Sequence, residues 1–203
     1  MSDLPRGRSA DGSIEHGHAF LFGQKHAGKS TLGSEVAHRL GLTFLDIDDL
    51  IVELANTVGE SHHSRLDDAR AVYRRHGADG FRGFEAQAAE RLAERLRWAP
   101  TTICALGGGT VQNDKAHTAL EGSGLFVYLY VDTDELYRRV SRTGRPAFLS
   151  TDDPEGEFLR LAAERDRIYR ARADLVCDLD TLDLAAAADV LERVMREHGF
   201  GRQ

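Results

Sequence analysis

Apolar residues gather in five short runs along the chain, at Ala19–Phe22, Thr43–Leu45, Thr102–Ala105, Leu125–Val131 and Leu175–Cys177. Between these runs the spacing changes to that of helices. Leu32, Val36 and Leu40 follow the first run, and Phe84, Ala88, Leu92 and Leu96 form a stripe ahead of the third. The pattern predicts helices over Lys29–Leu40, Asp49–Asn56, Phe81–Trp98, Asp114–Leu120, Thr133–Arg142, Glu155–Arg172 and Leu184–His198. A shorter one is predicted at Asp67–Arg75, inside a polar, charge-dense stretch. Strands that alternate with helices imply an α/β fold, a three-layer α/β/α sandwich whose parallel strands are joined by helical crossovers. Residues 18–203 are expected to form one domain, preceded by a disordered leader over 1–17 with Pro5 and scattered charges.

The first strand leads into Gly23-Gln24-Lys25-His26-Ala27-Gly28-Lys29-Ser30, the pattern GxxxxGK[ST], and a helix follows. A polyphosphate needs backbone N–H donors converging at close range. Glycines at 23 and 28 permit that turn, and the helix directs its positive end at the anion. Lys29 is placed to reach the outer phosphates, with its head expected in solvent, and the Ser30 hydroxyl to ligate Mg²⁺.

Asp46-Ile47-Asp48 ends the second strand, at the sheet edge where ligands of parallel sheets lie. Read as extended backbone, its two carboxylates face opposite ways and can hold different tasks, one near a metal and one near an acceptor hydroxyl. Asp49 is expected to open the next helix. Gly107-Gly108-Gly109 follows the third strand at the same edge, read as a turn whose exposed amides let a small ligand lie against the chain. Residues 143–156, rich in glycine and proline, have the length of a lid.

The net charge of −7 and pI near 5.7 argue against a nucleic-acid footprint. No apolar run is long enough to span a bilayer, and Cys104 and Cys177 fall in predicted strands as free thiols, which together suggest the cytoplasm. His16 with His18, and His62 with His63, lack partners at ligand spacing and read as exposed polar residues rather than a metal site.

With these motifs in order, the chain resembles the shikimate kinases over roughly residues 18–198. The likeness rests on GxxxxGKST at Gly23–Thr31, DxD at Asp46–Asp48, Gly-Phe-Arg at Gly80–Arg82 with Glu85, and the glycine triplet. Arg145-Pro146 and Arg165 with Tyr169 complete it. The resemblance implies a P-loop kinase with strand order 2-3-1-4-5, ATP as co-substrate, Mg²⁺, and shikimate as acceptor in early aromatic amino-acid synthesis. It implies nucleotide contacts at Gly23, Ala27, Gly28, Lys29, Ser30, Thr31 and Arg142, the last over the adenine, with Ser30 and Asp46 at the metal. Asp48 would bind ring hydroxyls and act as base. Arg82 and Arg165 would clamp the acceptor carboxylate with the amides of Gly107, Gly108 and Gly109. Arg145 would reach the transferring phosphate from the lid, with Lys29 and Asp48 completing the catalytic set. The acceptor-binding segment is expected over about 49–98, and the protein as a monomer.

Departures from the family pattern fall at His26, where glycine is usual, at Lys25, and at Ala147-Phe148 after the Arg-Pro pair. The lid looks shortened, and the segment before Arg82 is about ten residues longer than expected. Two alternatives remain open on sequence: a related kinase for a gluconate-type hydroxy acid, and a nucleotide-binding module without catalysis. The glycine triplet and Phe-Arg pair favour shikimate over the first. Intact Lys29, Ser30, Asp46, Asp48 and Arg145 count against the second.

Overall fold

The computed structural model describes residues 17–58, 65–142 and 153–201. At its centre is a parallel five-stranded sheet, with β1 (His18–Phe22) in the middle of the order β2-β3-β1-β4-β5. The others are β2 (Thr43–Asp46), β3 (Thr102–Ala105), β4 (Gly124–Tyr130) and β5 (Leu175–Asp178). β1 pairs in register with both neighbours, Phe20 against Cys104 and against Phe126. A strand buried on both faces reads as a continuous apolar run, and the alternation is in which layer each residue enters. Phe20 and Phe22 join one core with Cys104, Phe126 and Tyr128, while Ala19 and Leu21 join the other with Ile103, Val127 and Leu129.

The first layer is supplied by α2 (Ile47–Val58), α3 (Ala69–Leu96), α5 (Asp114–Leu120) and α7 (Pro154–Arg172). α1 (Lys29–Leu40), α6 (Thr133–Arg142) and α8 (Leu184–Glu197) supply the second. A five-residue helix, α4 (Gly108–Gln112), completes the described elements. The stripe Phe84, Ala88, Leu92 and Leu96 is buried as its spacing predicts, and both cysteines are buried free thiols. Among the described residues no helix is long and apolar enough to cross a membrane.

Several local expectations are corrected. The predicted helices at 67–75 and 81–98 are both present and adjoin within α3 across a kink at Gly77, whose φ of 69° lies in the left-handed region open to glycine. α2 starts at Ile47, not Asp49, and α7 at Pro154, where proline's missing N–H is no loss. The strand predicted at 125–131 runs instead from Gly124 to Tyr130, because Gly124 pairs with His18. His18 is not an exposed polar residue. It is buried in β1, and its Nε2 hydrogen-bonds with the Leu96 carbonyl at 3.0 Å. His16, His62, His63 and the leader at 1–16 lie outside the described residues.

Gly124 has no room for a side chain, since an added Cβ would lie 2.3 Å from the His18 carbonyl oxygen. Gly124→Ala must therefore part β4 from β1 at the sheet's centre. It is expected to cost about 1–3 kcal/mol, read as a lowered melting temperature. Wild-type melting would show that this end of the sheet is not closely packed.

Candidate active site

The phosphate loop occupies the gap between β1 and α1. Gly23 takes φ 155°, and an added Cβ would lie 2.6 Å from the Leu129 carbonyl oxygen, so only glycine fits against β4. Gly28 at φ 88° precedes α1 in the left-handed conformation. Gln24, buried, donates from Nε2 to the Ala162 carbonyl at 2.8 Å and ties the loop to α7.

Lys29 departs from the expectation of a solvent-facing head. It is half-buried, and its ammonium turns back to donate to the carbonyls of Gly23 (3.2 Å) and Gln24 (3.0 Å). Desolvation pushes its pKa down to about 8, against the pull of Asp48 and Asp46. A phosphate group entering the loop offers that ammonium stronger partners than two carbonyls do.

The DxD segment is also corrected. Asp46 is the last residue of β2, but Asp48 already lies in the first turn of α2, so the two carboxylates do not diverge as alternate residues of a strand. Asp46 caps that helix, with Oδ1 accepting from the Asp48 N–H at 3.0 Å. Its Oδ2 accepts from the Ser30 hydroxyl at 2.5 Å, so the two side chains read as metal ligands meet directly. Asp48 opens onto the cleft, where limited solvation and then neighbouring Asp46 push its pKa up to about 6, with Lys29 opposing.

The glycine triplet is not a plain turn. Gly107 caps α4, and Gly108 and Gly109 form its first residues. What excludes side chains there is the closeness of functional groups. A Cβ on Gly108 would lie 2.6 Å from the Tyr169 hydroxyl and 3.2 Å from the Gly23 carbonyl. One on Gly109 would lie 2.6 Å from Glu85 Oε1, and one on Gly107 3.1 Å from the Thr110 hydroxyl, with Asp48 Oδ1 in ordinary contact at 3.5 Å. Three backbone positions thus touch the phosphate loop, α2, α3 and α7.

Glu85 and Tyr169 carry no role in the sequence reading beyond membership of their motifs, and the structure gives them one. Glu85 is 2 % exposed and accepts from the Thr110 hydroxyl at 3.3 Å. Burial pushes its pKa up to about 7, although hydrogen bonds from Asn113 and Thr110 and the charge of Arg82 oppose the rise. Asn113 also donates from Nδ2 to the Arg82 carbonyl at 2.8 Å, holding the Phe-Arg turn of α3 to α4. The Tyr169 hydroxyl donates to the Gly108 carbonyl at 3.2 Å, and the charge of Arg165, one turn earlier on α7, is felt at that phenol. Arg82 is exposed and Arg165 half-exposed, and neither guanidinium has an ion-pair partner among the described residues. The helices that carry them, α3 and α7, both pack against α4, which holds the glycine triplet.

On the other side of the loop, Ala27, Gly28, Leu32, Arg139, Leu182 and Asp183 line a pocket of about 300 Å³. Arg139 donates there to Glu135 and to the His26 carbonyl. Thr31 is exposed in the first turn of α1. Arg142 ends α6, but its side chain, Arg145 and the predicted lid over 143–152 lie outside the described residues; the rest of that predicted lid is not loop, since Asp153 caps α7 and 154–156 begin it.

A 2-3-1-4-5 parallel sheet with a phosphate loop after its central strand, carboxylates at the next edge and a glycine-lined cleft defines a P-loop small-molecule kinase. The family model described as shikimate kinase matches residues 25–195, and the chain belongs to the shikimate kinase family. A shikimate kinase of Pseudoalteromonas atlantica is 32% identical over 181 residues, which cover 89% of this chain and 98% of that protein. One from Legionella pneumophila is 31% identical, over 84% of this chain and 89% of its own length. The solved shikimate kinase from Acinetobacter baumannii in complex with shikimate superposes with a TM-score of 0.70. Its identity is 25%, over 90% of this chain and 94% of that one.

Glu85 makes the stability of the protein sensitive to pH. Its folded pKa lies above the unfolded value, so the folded state holds the proton more tightly, and stability falls as pH rises from about 4.5 to about 7. The shift corresponds to about 3 kcal/mol. Glu85→Gln is expected to flatten much of the decline in melting temperature between pH 5 and pH 8. An unchanged slope would show that Glu85 is ionised throughout.

Proposed function

We propose that the chain transfers the γ-phosphoryl group of ATP to the 3-hydroxyl of shikimate through the residues described above. The observation that carries the assignment of roles is the meeting of Ser30, Asp46, Lys29 and Asp48 at the loop, with the glycine triplet 3.5 Å from Asp48 as measured from a Cβ on Gly107. Phosphoryl transfer asks mainly for alignment and for cations around the moving group, and little covalent chemistry from the protein.

In this reading the loop amides from Gly23 to Ser30 cradle the phosphates, and the Lys29 ammonium turns from its carbonyls to the outer ones. The pocket beside Arg139 takes the nucleoside, where Arg142 would cover the base. Ser30 and Asp46 present hydroxyl and carboxylate oxygens, the hard donors that suit Mg²⁺, and would hold it. When bound there, the ion neutralises charge on the phosphates. Asp48 is ionised above about pH 6 and accepts the proton of the attacking hydroxyl. Arg82 and Arg165 converge on the acceptor carboxylate, a pairing suited to the planar guanidinium. Arg145 would complete the charge around the transferring group. In this reading the protein works in the cytoplasm as a monomer.

A coupled ADP-release assay with shikimate, quinate and gluconate tests this reading. Turnover is expected with shikimate, and Arg82→Ala is expected to raise the KM for shikimate at least about tenfold with the KM for ATP nearly unchanged. Turnover with gluconate in place of shikimate, or a loss of ATP affinity on removing Arg82, would overturn the assignment.

A further inference from the structure

The phosphate-loop pattern leaves its second position open to any residue, and here Gln24 fills it. Its backbone and its side chain face different partners. The Gln24 carbonyl accepts from the Ala27 N–H at 3.2 Å and from the Lys29 ammonium at 3.0 Å, so it closes the turn and holds the lysine. The side-chain amide leaves the loop and donates to the carbonyl of Ala162, 138 positions away, at 2.8 Å. Both residues are buried. Ala162 lies in the interior of α7, where its carbonyl accepts the helix's own bond with one lone pair and Gln24 takes the other.

Ala162, Arg165 and Tyr169 succeed one another at spacings of three and four, which puts them along one face of α7. On the amino side of Arg165, Gln24 grips Ala162. On its carboxyl side the Tyr128 hydroxyl donates to Asp166 Oδ1 at 2.9 Å, and the Tyr169 hydroxyl donates to the Gly108 carbonyl at 3.2 Å. Arg165 therefore sits between an anchor on the phosphate loop and an anchor on the glycine triplet. A helix held only beyond Arg165 can turn or slide against the loop. Held on both sides, the backbone that carries the guanidinium is fixed relative to Lys29. The Ala162 carbonyl keeps its helix bond when Gln24 is replaced, so no buried acceptor is orphaned and the contact supplies geometry more than stability.

We propose that Gln24 is a positioning residue for phosphoryl transfer. Its hydrogen bond to Ala162 sets the register of α7 against the phosphate loop and so places Arg165 for the acceptor carboxylate. The proposal rests on the reading above, in which Gly23–Ser30 is the nucleotide loop and Arg165 an acceptor ligand. The Gln24 side chain acts through Arg165 rather than on either substrate.

Steady-state kinetics of wild-type protein, Gln24→Met, Gln24→Asn, Arg165→Met and the double variant Gln24→Met with Arg165→Met test it, with nucleotide sites counted by calorimetric titration of MgADP. Methionine keeps the length of glutamine without the donor, and asparagine keeps the amide but falls a methylene short of Ala162. Both Gln24 variants are expected to lower kcat/KM for shikimate, per nucleotide site, about tenfold. The KM for ATP is expected to stay within about twofold of wild type and the melting temperature within about 4 °C. In the Arg165→Met background, Gln24→Met is expected to change kcat/KM less than about twofold, because the residue it positions is gone. Wild-type kcat/KM in either Gln24 variant would overturn the proposal. So would a full tenfold loss in the Arg165→Met background, which would put the effect in the loop alone. Loss of the nucleotide sites in both Gln24 variants would make the contact a condition of folding and overturn the positioning role. Wild-type protein inactive on shikimate, or Arg165→Met with the wild-type KM for shikimate, would instead overturn the functional reading beneath it.

Discussion

Everything in the site turns on the absence of side chains at Gly107, Gly108 and Gly109. The phosphate loop belongs to β1, the carboxylates to the start of α2, Arg82 and Glu85 to α3, and Arg165 and Tyr169 to α7. These elements come together because three successive backbone positions leave the space that a Cβ would fill, 2.6 Å from the Tyr169 hydroxyl at one and 2.6 Å from Glu85 at the next. The hydrogen bond from Tyr169 to the Gly108 carbonyl and that from Gln24 to the Ala162 carbonyl hold α7 to both halves of the cleft. Close packing of this kind does not deform gradually, so the separation of the phosphate loop from α4 is held by these contacts.

Around that junction the ionisable groups sit away from their ordinary protonation behaviour. Lys29 is pushed down to about 8, while Asp48 and Glu85 are pushed up to about 6 and about 7, each first by loss of water. Arg82 and Arg165 have no ion-pair partners among the described residues. These are the groups that phosphates, a divalent cation and a carboxylate would satisfy. The same arrangement that lowers the stability of the free protein gives its ligands their differential affinity.

The sheet and its order, the phosphate loop and the buried stripe of α3 were legible because each depends on local periodicity or on a motif whose spacing is mechanical. What escaped depends on partners far along the chain. His18 reads as a polar residue next to a leader, and its partner, the Leu96 carbonyl, is 78 residues away. Asp46-Ile47-Asp48 reads as extended because strand and helix propensities overlap there, and the Asp46 cap on Asp48 decides the matter. The roles of Glu85 and Tyr169 emerge only when α3 and α7 meet over the glycine triplet. The signal was present, since both lie in the quoted motifs, but a buried carboxylate cannot be told from an exposed helix-face charge by spacing alone.

The most direct test is the steady-state kinetics of Gly108→Ala, with its melting temperature as a check on folding. An added methyl there must displace the Tyr169 hydroxyl or the Gly23 carbonyl, separating the loop from the acceptor wall while both binding surfaces remain. The expected result is a folded protein whose kcat falls at least about tenfold, with the KM for ATP and for shikimate changing much less, since alignment rather than affinity is lost. A folded Gly108→Ala protein with wild-type kcat would contradict the claim that this contact sets the geometry of transfer.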